Sequence, residues 1–104
     1  MNSLELLPKT IDYKGDSFFL RVWVTAWGRL AVGYKQLAGD KTILSYVVEK
    51  EKEKYVPKII EEIETSGLNE HIGNCKTLDE CITAMIYKIN EMTLSGEMRA
   101  SYGG

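Results

Sequence analysis

The clearest pattern in the chain is an alternating one. Residues 17–25 read SFFLRVWVT, a run of β-branched and aromatic residues without Gly or Pro, which predicts a strand. Its side chains divide by parity, with Phe18, Leu20, Val22 and Val24 on one face and Phe19, Arg21, Trp23 and Thr25 on the other. Ala26-Trp27-Gly28 supplies a turn, and a second strand follows over 29–37, with Leu30, Val32 and Tyr34 opposite Ala31, Gly33 and Lys35. The Gly-containing loop Ala38-Gly39-Asp40-Lys41 leads to a third strand over 42–49. Two sets compete for the core face there, Ile43/Ser45/Val47 and Leu44/Tyr46/Val48, and the register decides between them. Upstream, Ile11 and Tyr13 alternate before a Lys14-Gly15-Asp16 turn. They fit a short edge strand or a packed arm.

Downstream the period changes. After the alternating charges of EKEKEK (49–54), Pro57 restricts any helix to a start near Val56. Val56, Ile59, Ile60 and Ile63 then form one stripe, with Gly67 as a stop. A connector over 68–76 has room for a short strand around His71-Ile72. Thr77-Leu78-Asp79-Glu80 reads as a capping box opening a second helix, whose stripe is Leu78, Ile82, Met85, Ile86 and Ile89 and which runs to about Thr93. The three Gly of 95–104 and their small burial potential predict a frayed tail. These elements predict an α+β domain over 1–94: a three-stranded antiparallel meander, four-stranded if the Ile11–Tyr13 segment joins it, with two amphipathic helices on one face.

That arrangement accounts for one sheet face only. The other carries Phe19, Arg21, Trp23 and Lys35 beside the small Ala31 and Gly33, which leave room for an aromatic ring to lie flat or for a partner to approach. Trp27 and Arg29, at the adjoining turn, extend the same surface. Aromatic rings among Arg and Lys suit recognition. Three readings stay open: coverage by the N-terminal arm, self-association through this face, and a foreign partner.

Charge limits what the partner can be. The 104-residue chain has a net charge of −2, divided into +3 over residues 9–41 and −5 elsewhere. A single-stranded nucleic-acid platform needs aromatics beside a positive track. Here the track is Arg21, Arg29, Lys35 and Lys41, and the Gly-aromatic spacing of ribonucleoprotein motifs is absent. The strand-strand-strand-helix order is similar to that of double-stranded RNA-binding domains, but the Lys cluster opening their last helix is missing.

Candidate chemistry is sparse. His71 is the one histidine, and Cys75 and Cys81 are the two cysteines. Their spacing, His71-x3-Cys75-x5-Cys81, matches no common zinc pattern and leaves the fourth ligand unnamed. Cys81 falls beside the helical stripe as a small core residue, and a Cys75–Cys81 disulfide depends on distances. Glu61, Glu62 and Glu64 form a solvated face. No phosphate-binding or dinucleotide fingerprint is present. The expectation is no catalysis, no metal and no cofactor. No apolar run approaches the ~18 residues of a membrane span, and the first residues lack the basic start of a signal peptide, so a cytoplasmic setting with reduced thiols is expected.

The stretch from Gly73 to Glu80 with its helix resembles the helical entry of small antitoxin domains. Together these features point to a non-catalytic protein-binding module acting by occlusion: an inhibitor, antitoxin-like, immunity-like or phage-encoded factor. The alternatives are a single-stranded nucleic-acid binder using the open sheet face and a dimeric structural or assembly subunit.

Overall fold

The computed structural model describes residues 3–24, 29–36, 38–39, 41–48 and 69–103. A short 3-10 turn, Ser3–Leu6, precedes strands β1 (Thr10–Tyr13), β2 (Asp16–Val24), β3 (Leu30–Gln36), β4 (Thr42–Val48) and β5 (Asn69–Cys75), helix α1 (Leu78–Leu94) and strand β6 (Met98–Ser101). They form one six-stranded sheet in the order β5-β4-β3-β2-β1-β6. The meander β2-β3-β4 is its centre, and both flanks depart from the sequence-based expectation.

On the first flank, β1 is joined to β2 by a two-residue turn in which Lys14 (φ 49°) and Gly15 (φ 82°) both adopt positive φ. This is the geometry that matches strand twist in tight hairpins. β1 is no edge strand, because β6 pairs antiparallel along its other side, Ile11 opposite Ala100 and Tyr13 opposite Met98. The segment expected to be a frayed tail therefore supplies a strand, and Met98 is buried in the core. A four-residue strand carries too little pattern to be read alone; its hydrogen bonds come from a β1 edge ~90 residues away in the chain, a long-range pairing that local propensity does not register.

On the second flank, β5 pairs parallel to β4. The sheet is thus mixed, and the expected three- or four-stranded antiparallel meander is corrected to six strands. A parallel neighbour needs a crossover of about a dozen residues or more, and residues 49–68 separate the two strands. The helix expected from Val56 lies within that segment, outside the described residues. Among the described residues there is one α-helix, not two.

That helix is set by its ends. Thr77 caps it in extended conformation, its Oγ1 accepting from the Glu80 N–H at 3.2 Å. Glu80 reaches back one residue further than a capping box requires, accepting from the Lys76 N–H at 3.0 Å. At the far end the Glu97 N–H donates to the Met92 carbonyl at 3.0 Å and the Gly96 N–H to Thr93 at 3.2 Å. Gly96 sits at φ 83°, so the helix closes in a Schellman motif at a residue without a Cβ. Leu78, Cys81, Ile82, Met85 and Ile89 are buried.

These side chains pack on the sheet face formed by Ile11, Phe18, Val22, Leu30, Val32, Tyr34, Tyr46 and Val48. β4 resolves its competing sets by a bulge. Val32 pairs with Tyr46 but Tyr34 pairs with Ile43, so β4 holds one extra residue, and Leu44 takes φ 53°. Ile43, Leu44, Tyr46 and Val48 all join the main core, while Val47 faces the other way. Alternation across an intact strand allows no such set, because only an extra residue brings neighbours 43 and 44 into one core.

Tyr34 is fully buried, and its hydroxyl donates to the Pro8 carbonyl at 2.7 Å, tying the N-terminal segment to β3. Burial, with a smaller contribution from Tyr102, pushes its ionisation far above the ordinary tyrosine value. The unfolded chain loses that proton near pH ~10. The stabilising difference is therefore whole below pH ~10 and is lost at about 1.4 kcal/mol per pH unit above it. Urea denaturation between pH ~8 and ~11 should show this decline. Tyr34→Phe should make it shallower, leaving the part due to Tyr46 and Cys81, while lowering stability at neutral pH by about 1 kcal/mol, the worth of one buried hydrogen bond.

Candidate interaction surface on the second sheet face

The β2–β3 register fixes which side chains share the face turned away from α1. Phe19 lies opposite Lys35, Arg21 opposite Gly33 and Trp23 opposite Ala31. Four of the six residues singled out from the sequence, Phe19, Arg21, Trp23 and Lys35, therefore stand together on β2 and β3. Arg29 is exposed immediately before β3. Trp27 lies outside the described residues.

Trp23 does not serve as an open contact. It is 3 % exposed and forms a separate small apolar cluster with Ala31 and Val47. Its ring reaches over Gly33: a Cβ built there would lie 3.1 Å from Trp23 Cη2, 3.0 Å from Ser45 Cα and 3.3 Å from the Ile43 carbonyl oxygen. Gly33 is thus enclosed by the indole above and by the β4 bulge beside it. The room left by small residues on β3 is filled from within the chain.

Two hydroxyls share this closed region. Thr42, opposite Lys35, and Ser45, in the bulge, are each 1 % exposed, and neither Oγ has a hydrogen-bond partner. No sequence signal marked them, because their burial follows from the bulge and from Trp23.

The remainder of the face is open and polar. Phe19 and Arg21 are half-buried, with the Arg21 guanidinium carbon 5.3 Å from the Phe19 ring centroid and Nη1 donating to the Leu20 carbonyl at 2.9 Å. This is cation–π geometry, and it holds both groups in one pose. Half-buried Lys35 flanks the ring. The surface continues onto elements that the sequence reading had left out: Thr10 beside Phe19, Asp12 opposite Ser17, and, on β6, Arg99 and Ser101 opposite Asp12 and Thr10. The Ser17 hydroxyl donates to Asp12 Oδ1 at 2.7 Å. Among the described residues of this open half, three side chains are formally basic, Arg21, Lys35 and Arg99, and one is acidic, Asp12, around one aromatic ring.

A second concavity lies on the helix side. A cleft of about 270 Å³ is lined by Tyr13, Ile43 and Leu44 and by Lys88, Glu91, Met92, Ser95 and Glu97 at the end of α1. Lys88 and Glu91 pair within it at 4.0 Å. The Ser95 hydroxyl is engaged, donating to the Met92 carbonyl at 3.0 Å. Among the described residues no three His, Cys, Asp or Glu side chains group together, and no helix is long and apolar enough to cross a membrane.

The chain matches no protein-family model, no curated protein and no solved structure. The fold is that of a small α+β domain with a mixed six-stranded sheet. The narrower expectation of an inhibitor or phage-encoded factor rests on small size, absent catalytic groups, the second sheet face and the alternating charges of 49–54, none of which is specific to such proteins. Nothing found supports it, and it is set aside.

The enclosure of Gly33 gives a paired test. Gly33→Ala should cost about 1–3 kcal/mol, because the new methyl meets backbone at Ser45 that cannot move away cheaply. Ser45→Ala should be neutral or stabilising, because it removes an unsatisfied buried hydroxyl. Urea midpoints measure both.

Proposed function

We propose that this chain is a non-catalytic protein-binding domain that contacts an acidic partner surface through the open half of its second sheet face, centred on Phe19, Arg21 and Lys35. One observation carries the reading: the Arg21 guanidinium and the Phe19 ring are held against each other, half-exposed, beside Lys35. A pre-ordered aromatic and a guanidinium lose little conformational entropy on binding, and residues of these types dominate interface energetics. The surrounding Arg99 and the hydroxyls of Thr10 and Ser101 suit a polar rim.

A nucleic-acid reading is less well supported by the same geometry. Stacking of bases needs exposed rings, and Trp23, the largest ring of β2, is buried against Gly33, Ala31 and Val47. Phe19 remains as one half-covered ring, which is a poor platform for successive bases.

The test compares three immobilised proteins in parallel capture from one lysate: wild type, Phe19→Ser/Lys35→Glu, and Tyr87→Ala as a control at a 77 % exposed position on α1. The expected result is a protein retained by wild type and by the control, released by raised salt, and weakened in the double variant by about 30-fold or more, the loss of a hot spot of about 2 kcal/mol. Retention of every captured protein by the double variant overturns the proposal. A wild-type dimer in sedimentation that becomes monomeric in the double variant would assign the face to self-association instead.

A further inference from the structure

The two cysteines stand apart from the face discussed above. Cys75 ends β5 opposite Val48 and is half-buried against the main core. Cys81, in the first turn of α1, is fully buried, with its Sγ 4.0 Å from the Val47 carbonyl oxygen. Val47 and Val48 are adjacent on β4, so both cysteines stand at the same end of that strand, within one core. The five residues between them make the tight capped turn held by Thr77 and by the Lys76–Glu80 bond. Both thiols are free.

We propose that Cys75 and Cys81 are a redox-modification site that takes small disulfides of the glutathione type and closes to an intramolecular bond, pinning the parallel edge strand β5 to the start of α1. Cys75, the more exposed sulfur, meets the oxidant first. Its thiolate attacks one sulfur of the small disulfide, forming a mixed disulfide and releasing one glutathione thiolate, which takes up a proton. Cys81 then attacks the Cys75 sulfur, forming the Cys75–Cys81 bond, and its proton passes to the departing second glutathione thiolate, which leaves as the thiol. Two protein thiols are oxidised by two electrons, and one small disulfide is reduced to two thiols. Burial, followed by the nearness of Cys75 and the charge of Glu80, pushes the Cys81 thiol up. That makes Cys81 the resolving group and not the first attacker. Tyr46 on β4 belongs to the same core, and its own ionisation is raised chiefly by burial and then by the charges of Cys75 and Cys81.

The sequence supplies a direct readout, because Lys76 lies between the two cysteines. The reduced full chain is incubated with excess glutathione disulfide, quenched with an alkylating maleimide, digested with trypsin and weighed. Closure is expected to lower the intact mass by about 2 Da, for two lost hydrogens. It should also hold the fragments on either side of Lys76 together until a reductant is added. In Cys81→Ala the glutathione adduct should persist on Cys75, and in Cys75→Ser the buried Cys81 should stay unmodified. Because either variant can disturb packing, the wild-type result decides. A stable glutathione adduct on Cys75, full alkylation of both thiols, or a disulfide between two chains each overturns the proposal.

Discussion

The architecture rests on one geometric match between a helix and a sheet. α1 begins where β5 ends and stops where β6 begins, and those strands are the two opposite edges of the sheet. Its 17 residues span about 25 Å at the usual rise. Five inter-strand spacings cover about 24 Å. A single helix therefore bridges the sheet from edge to edge, and its buried side chains serve as one shared core for all the strands. The caps at Thr77 and Gly96 matter for this reason: they set a length that has to fit the sheet. A shorter helix would leave β6 without a route back to β1.

The second face follows from a different constraint. Once the helix has claimed one face, the apolar residues of β2–β4 that point away from it need other cover. Trp23 provides part of it by reaching across to Gly33, and the β4 bulge brings Ser45 and Ile43 close on the same side. The extra residue at Leu44 lets four β4 side chains reach the main core, at the cost of a left-handed backbone for a non-glycine residue, about 1–2 kcal/mol. It also buries the Thr42 and Ser45 hydroxyls. The result is a face closed over β3 and β4 and open over β6, β1 and the start of β2. In the proposed reading, recognition therefore rests on the Phe19–Arg21 pair and Lys35 and not on the tryptophan.

The cysteines show how the same chain segment carries a second kind of chemistry. A capped turn between a strand end and a helix start is a compact, rigid link. Such a link brings two side chains six positions apart to one point, here the end of β4. That point lies away from the open half of the second sheet face, so the proposed binding and the proposed oxidation concern separate parts of the molecule.

By itself the sequence determined the elements whose signals are local. Parity along 17–25 and 29–37 was enough to place Phe19, Arg21, Trp23 and Lys35 on one face, and the Thr77–Glu80 spacing and the Leu78–Ile89 stripe were enough to place α1. Cys81 was legible as a core residue for the same reason, its position beside that stripe. Only the tertiary structure decided that the sheet has six strands, that β5 runs parallel to β4, and that 98–101 forms a strand, because these pairings join segments distant in the chain and leave no mark in local periodicity. It also decided that Trp23 is buried while Phe19 is not. Both stand at equivalent alternating positions of β2, and what separates them is what lies across the ladder: Gly33 and the bulge accept the indole, whereas Lys35 and Thr10 leave Phe19 in reach of solvent.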